Sequence, residues 1–188
     1  MALHLIRHTR PKIPEGVCYG GLDLDVGDTF ARDAEGVRQQ LKSSYSGIFV
    51  SPLIRCTTLA EHLDLAYEVD ERLREMSFGF WEGIPWSDIN QREIDSWAKD
   101  IAGYQVPGGE RFQDVIERVD EFISGLPKGE YLLITHSGVI KACWVLFGGV
   151  SVDIAASRSI DFGGYVSIPL NSSNHPAGVL SLNEASTN

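Results

Sequence analysis

The stretch Leu3-His4-Leu5-Ile6-Arg7-His8-Thr9-Arg10 constrains this chain most, because an apolar run breaks off into two arginines and a histidine. Such a run predicts a buried strand over residues 2 to 6, and the basic cluster after it predicts a phosphate-handling turn. The arrangement recurs at Tyr131-Leu132-Leu133-Ile134-Thr135-His136-Ser137-Gly138, where an apolar strand runs into a histidine and small residues that open a helix. In an open parallel sheet, ligands bind outside the carboxyl ends of the strands, so the two histidines are expected to converge on one crevice.

Between these runs, strands alternate with helices. The loop from Thr9 to Thr29 is rich in glycine and carries Pro11 and Pro14, so it reads as an irregular site loop. Ala31, Ala34, Val37 and Leu41 recur at helical spacing, which predicts a covering helix from Phe30 to Ser44. Gly47-Ile48-Phe49-Val50 reads as a short strand, and Ser51-Pro52 opens a helix carrying Ile54, Leu59 and Leu63. Tyr67 to Val69 is a further short strand, Ser87 to Ile101 a helix, and Gly103 to Gly109 a break. Phe112 to Leu126 has the clearest helical pattern, and an apolar helix follows from Val139 to Phe147. Gly164 to Ile168 reads as the last sheet strand, with an edge strand at Val179 to Leu182. This alternation predicts an α/β fold, a three-layer α/β/α sandwich with a mostly parallel central sheet.

A chain of 188 residues, 43% apolar, suits one domain over 1-188, with 76-110 as a cap or specificity segment and 171-188 as a tail. Apolar stretches fall short of the roughly 20 residues that span a membrane, and the chain enters a strand at once, so a cytoplasmic protein is expected. Cys18, Cys56 and Cys143 are odd in number and widely spaced, which suits neither a disulfide framework nor a structural zinc site. The formal charge of -10 argues against a nucleic-acid partner. It leaves small phosphorylated ligands open, because a local arginine cluster outweighs distant charge beyond about 8 Å. The sequence is silent on oligomeric state, with a homodimer allowed for.

Arg7-His8, then Ser51-Pro52-Leu53-Ile54-Arg55-Cys56, then Glu75 before Phe78-Gly79, then Thr135-His136-Ser137-Gly138 stand in this order along the chain. Together they resemble the histidine phosphatase, or phosphoglycerate mutase-like, superfamily from residue 3 to about 141. His8-Thr9-Arg10-Pro11, followed by Gly16-Val17-Cys18-Tyr19-Gly20 and Asp23, resembles its alpha-ribazole phosphatase branch in cobalamin biosynthesis. The resemblance implies a phosphomonoesterase in which His8 becomes a phosphohistidine, Glu75 is the general acid, and Arg7, Arg55 and His136 bind the phosphoryl group, with no metal or cofactor. A sugar or phosphoamino-acid phosphatase is the alternative, followed by a phosphoglycerate mutase and a non-catalytic phosphate-binding module. Three departures from the family pattern concern the phosphate pocket. Thr9 and Ser137 replace glycines, and Pro11 and Pro14 replace polar phosphate contacts. Thr9 and Ser137 then become candidate hydroxyl donors, and Tyr19 a candidate substrate contact.

The chemistry agrees with these assignments. A transferring phosphoryl group spreads charge over three oxygens, and arginine forks match that geometry better than lysine. His8 must be neutral to attack, whereas His136 is expected to be protonated as a third donor. Phe78, Phe80 and Trp81 are expected to desolvate Glu75, which would favour its protonated form. Against these readings stand ordinary structural roles: a salt bridge of Glu75 to Arg72 or Arg74, with Glu71 and Glu82 as rival acids. His4, His62 and His175 are assigned to structure. Trp81, Trp86 and Trp97 are either packing anchors or an aromatic wall for a dimethylbenzimidazole ring.

Overall fold

The computed structural model describes residues 1–170. One sheet is formed by β1 (Ala2–Arg7), β2 (Gly47–Val50), β3 (Glu68–Val69), β4 (Glu130–Thr135) and β5 (Tyr165–Pro169), in the order β3-β2-β4-β1-β5. β1 to β4 run parallel, and β5 joins the β1 edge antiparallel. Leu3, Leu5 and Leu133 pack into one apolar layer with helices α4 (Phe112–Ser124) and α5 (Ser137–Phe147). Ile6, Val50, Leu132 and Ile134 pack into a second with α1 (Phe30–Arg38) and α2 (Ile54–His62). Because both faces are covered, the central strands read as continuous apolar runs instead of alternating ones.

The register places the site. Arg7 lies opposite Thr135, and Val50 opposite Ile134, so the three central strands end level with one another. Two further backbone bonds extend the ladder past those ends, His8 N to Thr135 O at 2.9 Å and Ser51 N to Ile134 O at 3.0 Å.

Four differences from the pattern-based expectation bear on the architecture. α1 stops at Arg38, well before Ser44. The Lys42 amide instead donates to the Tyr45 hydroxyl, and Ser43-Ser44 favour turns over helix. The predicted helix from Ser87 to Ile101 divides into a 3-10 turn at Trp86–Asp88 and α3 (Gln91–Lys99), which starts where the Asn90 side chain accepts from Arg92 N. A short helix α6 (Val152–Ser157), unexpected from the pattern, follows the Gly148-Gly149 break and is capped by Ser151. The last strand begins at Tyr165 and runs against its neighbour. The proposed edge strand Val179 to Leu182, the tail 171-188 and His175 lie outside the described residues. Among the described residues, no helix is long and apolar enough to cross a membrane.

Candidate active site

Two imidazoles meet where β1 and β4 end, with ring centroids 5.0 Å apart. His8 Nδ1 donates to the Thr9 carbonyl at 2.7 Å, which leaves its Nε2 lone pair to face Arg55 Nε at 3.2 Å. His136 has the opposite tautomer: Nε2 donates to Ser51 Oγ at 2.7 Å while Nδ1 accepts from Arg55 Nη2 at 3.2 Å. These tautomers follow from the hydrogen-bond network, since Arg55 can only donate. The Arg55 fork, carried on the first turn of α2, also donates to the carbonyls of Leu22 and Gly20, each at 2.7 Å. Asp23 accepts from Ile54 N at 2.7 Å and so fixes the loop to the start of the same helix.

Burial holds both imidazoles well below the ordinary histidine value of 6.5; the Arg55 charge adds to the effect on His8, and the His8 and Arg55 charges on His136. His8 is therefore held toward its neutral form. Burial likewise disfavours the charged form of His136, whereas the sequence reading takes this ring as a protonated donor to a bound phosphoryl group.

Arg7 lies under the Phe162 ring, with Cζ 3.9 Å from its centroid, and donates to the Ile160 carbonyl at 2.5 Å. Among the described residues, its Nε is buried without a hydrogen-bond partner, and so is the hydroxyl of the fully buried Thr9. Burial raises the Tyr19 phenol above its ordinary value, and the nearby Arg7 and Arg55 charges oppose that shift.

Glu75 sits at the start of α5. Its Oε1 accepts from Met76 N and Gly138 N, both at 3.0 Å. The approach depends on glycine, because a Cβ at position 138 would lie 2.3 Å from Glu75 Oε1. The rival acids are occupied elsewhere. Glu82 accepts from the amides of Gly21, Leu22 and Phe78, and Glu71 pairs with Arg74. The expected apolar setting of Glu75 is only partly found: Phe78 lines the same cavity, but Phe80 stands 75% exposed in solvent. Trp81 is buried in the core and donates to Glu93.

A cavity of about 670 Å³ opens in front of this cluster, lined by Arg7, Tyr19, Glu75 and Ser137 on the strand-end side. His8, Arg55 and His136 are at most 1% exposed and lie behind those residues, not in an open crevice. Trp86 and Trp97, stacked with centroids 5.9 Å apart, form an aromatic wall together with Phe78, whereas Trp81 does not line the cavity. Lys141 and Asp153 also face it, and neither stands out in the sequence motifs. A usable signal exists for Lys141, the one charged residue of the apolar helix that begins after His136. Ser51 reads from sequence only as a helix opener, yet it is the partner that orients His136.

The model of the histidine phosphatase superfamily (branch 1) matches residues 3–175. A Hydrogenobacter thermophilus protein provisionally named phosphoserine phosphatase 2 is 28% identical over 178 residues, covering 88% of each chain. The crystal structure of a phosphoglycerate mutase from Thermus thermophilus superposes with a TM-score of 0.75 at 28% identity, over 89% of this chain and 92% of that one. A Caenorhabditis elegans 6-phosphofructo-2-kinase/fructose-2,6-bisphosphatase is 29% identical over 66% of this chain, which spans only 27% of that longer protein. With the family model matched over nearly the whole chain, and the strand order and site geometry above, this protein belongs to the histidine phosphatase superfamily, a phosphatase by family.

Proposed function

We propose that the chain hydrolyses phosphomonoesters of bulky, ring-bearing alcohols through a phosphohistidine on His8, with alpha-ribazole 5'-phosphate as the expected substrate. The observation that carries this reading is the fixed tautomer of His8, whose Nε2 lone pair faces the Arg55 fork 3.2 Å away. That nitrogen attacks phosphorus, the phosphorus–oxygen ester bond breaks, and Glu75 gives its proton to the leaving oxygen. Water then attacks the phosphohistidine, Glu75 takes the water's proton, and inorganic phosphate leaves. Arg7 and Arg55 supply the charge that a divalent cation provides in other phosphoryl-transfer sites, so the reaction runs without a metal. A phosphate dianion beside His136 raises its pKa and turns it into a third donor. Thr9 and Ser137 are the candidate hydroxyl contacts, and Tyr19, whose ring lies 5.7 Å from Arg55 Cζ, is the candidate substrate contact. Reaching His8 requires the side chains in front of it to move.

The size and aromatic wall of the cavity support a large planar leaving group over a small one. The similarity to the Hydrogenobacter protein favours a second reading, a phosphoamino-acid phosphatase. A panel of alpha-ribazole 5'-phosphate, phosphoserine, sugar phosphates and phosphoglycerates, compared by kcat/KM, separates them. The first reading expects the ring-bearing ester to lead and phosphate to be released stoichiometrically; isomerised phosphoglycerate in its place would mean a mutase. Chelator is expected to change nothing, and a loss restored by magnesium or zinc would overturn the metal-free step. The proposal places the protein in the cytoplasm, where three buried unpaired thiols are at home.

A further inference from the structure

We propose that Lys141 and Asp153 form a subsite for hydroxyl groups of the leaving alcohol, so that preferred substrates are phosphomonoesters of neutral, ribose-like polyols that carry a planar ring. The inference rests on the phosphomonoesterase reading and specifies what the far end of the same cavity selects.

Lys141 is half-buried at the cavity wall. Its ammonium donates to the Ala156 carbonyl at 2.8 Å, and among the described residues no carboxylate lies within 4.0 Å of it. An ammonium has three N–H donors, so two remain for a ligand. Keeping a lysine with no carboxylate in contact in a partly desolvated place costs free energy, and its pKa is lowered mainly by burial, with the Glu75 charge opposing the shift. An acceptor on the substrate recovers that cost.

The charges of the lining decide which acceptor fits. Arg7 and Lys141 are balanced by Glu75 and Asp153. The phosphoryl group takes up Arg7 together with Arg55, so a second anion on the substrate would meet Lys141 with two carboxylates nearby. A hydroxyl avoids this conflict, because it accepts from Lys141 and donates to Asp153 at the same time. Asp153 and Ser157 are four apart on α6 and line the same cavity, and Ala156 between them anchors the lysine. Trp86 and Trp97 on the remaining wall offer stacked faces to a ring.

The test compares adenosine 5'-monophosphate with 2',3'-dideoxyadenosine 5'-monophosphate by kcat/KM in one protein preparation, with phenyl phosphate as the reference for basic phosphatase competence. Wild-type protein is expected to favour the ribonucleotide by about tenfold or more, the scale of a hydrogen bond to a charged group. In Lys141→Met the ratio should fall to near one, whereas Lys141→Arg should retain most of it. Because the ratio is taken within one variant, a general loss of folded protein cancels. A wild-type ratio near one, or a ratio that survives in Lys141→Met, would overturn the subsite. So would a Lys141→Met defect confined to phosphoserine, which would give the lysine to an anionic group. Failure of the wild-type protein to hydrolyse phenyl phosphate would instead remove the phosphomonoesterase reading beneath it.

Discussion

His8, Ser51 and His136 stand at or just past the ends of parallel strands, Arg55 stands on the first turn of the helix after β2, and all four are all but inaccessible, whereas Trp86, Trp97, Lys141 and Asp153 are half-buried or exposed and stand on the outer helices and short turns. On the proposed reading, the two groups serve the two halves of one substrate. A phosphoryl group is the same in every ester and needs fixed donors, so its site is locked by sheet register and by an arginine bonded to both imidazoles. The alcohol differs between esters, so its cavity is built on segments that sequence change can remodel without disturbing the sheet. Substitutions at the strand ends should therefore act on all substrates alike, and substitutions in the cavity wall should act on some and not others.

The largest effect is expected for His8→Ala. Loss of the nucleophile should lower kcat by at least about 10⁴-fold on every ester in the panel, with cooperative unfolding preserved. A variant that kept substrate-dependent residual turnover would break the contrast between the two regions. Next is Glu75→Gln, expected to cost about 10²- to 10⁴-fold on alkyl esters and clearly less on aryl esters, whose leaving groups need less protonation. Equal losses would speak against an acid role. Gly138→Ala should imitate that pattern, because the added methyl occupies the place of Glu75 Oε1.

The same contrast explains what could be read in advance. Arg7, His8, Arg55 and His136 were legible because each follows an apolar strand in the chain, and the parallel register then leaves one place for them to meet. α4 was legible because Phe112, Val115, Ile116, Val119, Phe122 and Ile123 are all buried on one face. The charge state of His136 was not, since it depends on complete burial beside another imidazole and an arginine, which no local pattern announces. Nor was the separation of Trp81 from Trp86 and Trp97: three tryptophans close in sequence divide between core and cavity according to a turn at residues 79 to 81. Lys141 could have been singled out as the one charge of an apolar helix, but nothing in the local pattern says that this charge faces the cavity.

A smaller and more selective effect is expected for Trp97→Ala. Removing one half of a stacked pair should raise KM for ring-bearing esters by about fivefold, a scale set by roughly 1 kcal/mol of aromatic contact. Sugar phosphates and phosphoserine should barely change. A uniform drop in kcat across all of them would mean that Trp97 supports the strand ends as well, and the division between the two regions would be less sharp than the geometry indicates.

The smallest effect concerns stability against pH and comes from the buried end alone. His8 and His136 have pKa values well below 6.5 when folded, and His4, buried against Tyr165, is lowered as well. In the unfolded chain these histidines titrate near about 6.5, so below that pH the unfolded state binds more protons than the folded one. Their contribution to stability is complete above about pH 6.5 and is lost progressively as pH falls toward the folded values; each tenfold difference in proton affinity between the two states is worth about 1.4 kcal/mol. Tm should therefore decline between about pH 7 and pH 5, above the range in which Asp70 and Asp114, lowered by their arginine partners, begin to matter. His136→Gln should flatten the slope by one histidine's share. Inorganic phosphate should flatten it too, because a dianion between the imidazoles favours their protonated forms. A Tm that is level across this range would mean that the two rings are reached by water in solution, and the closed strand-end cluster would have to be redrawn as an open one.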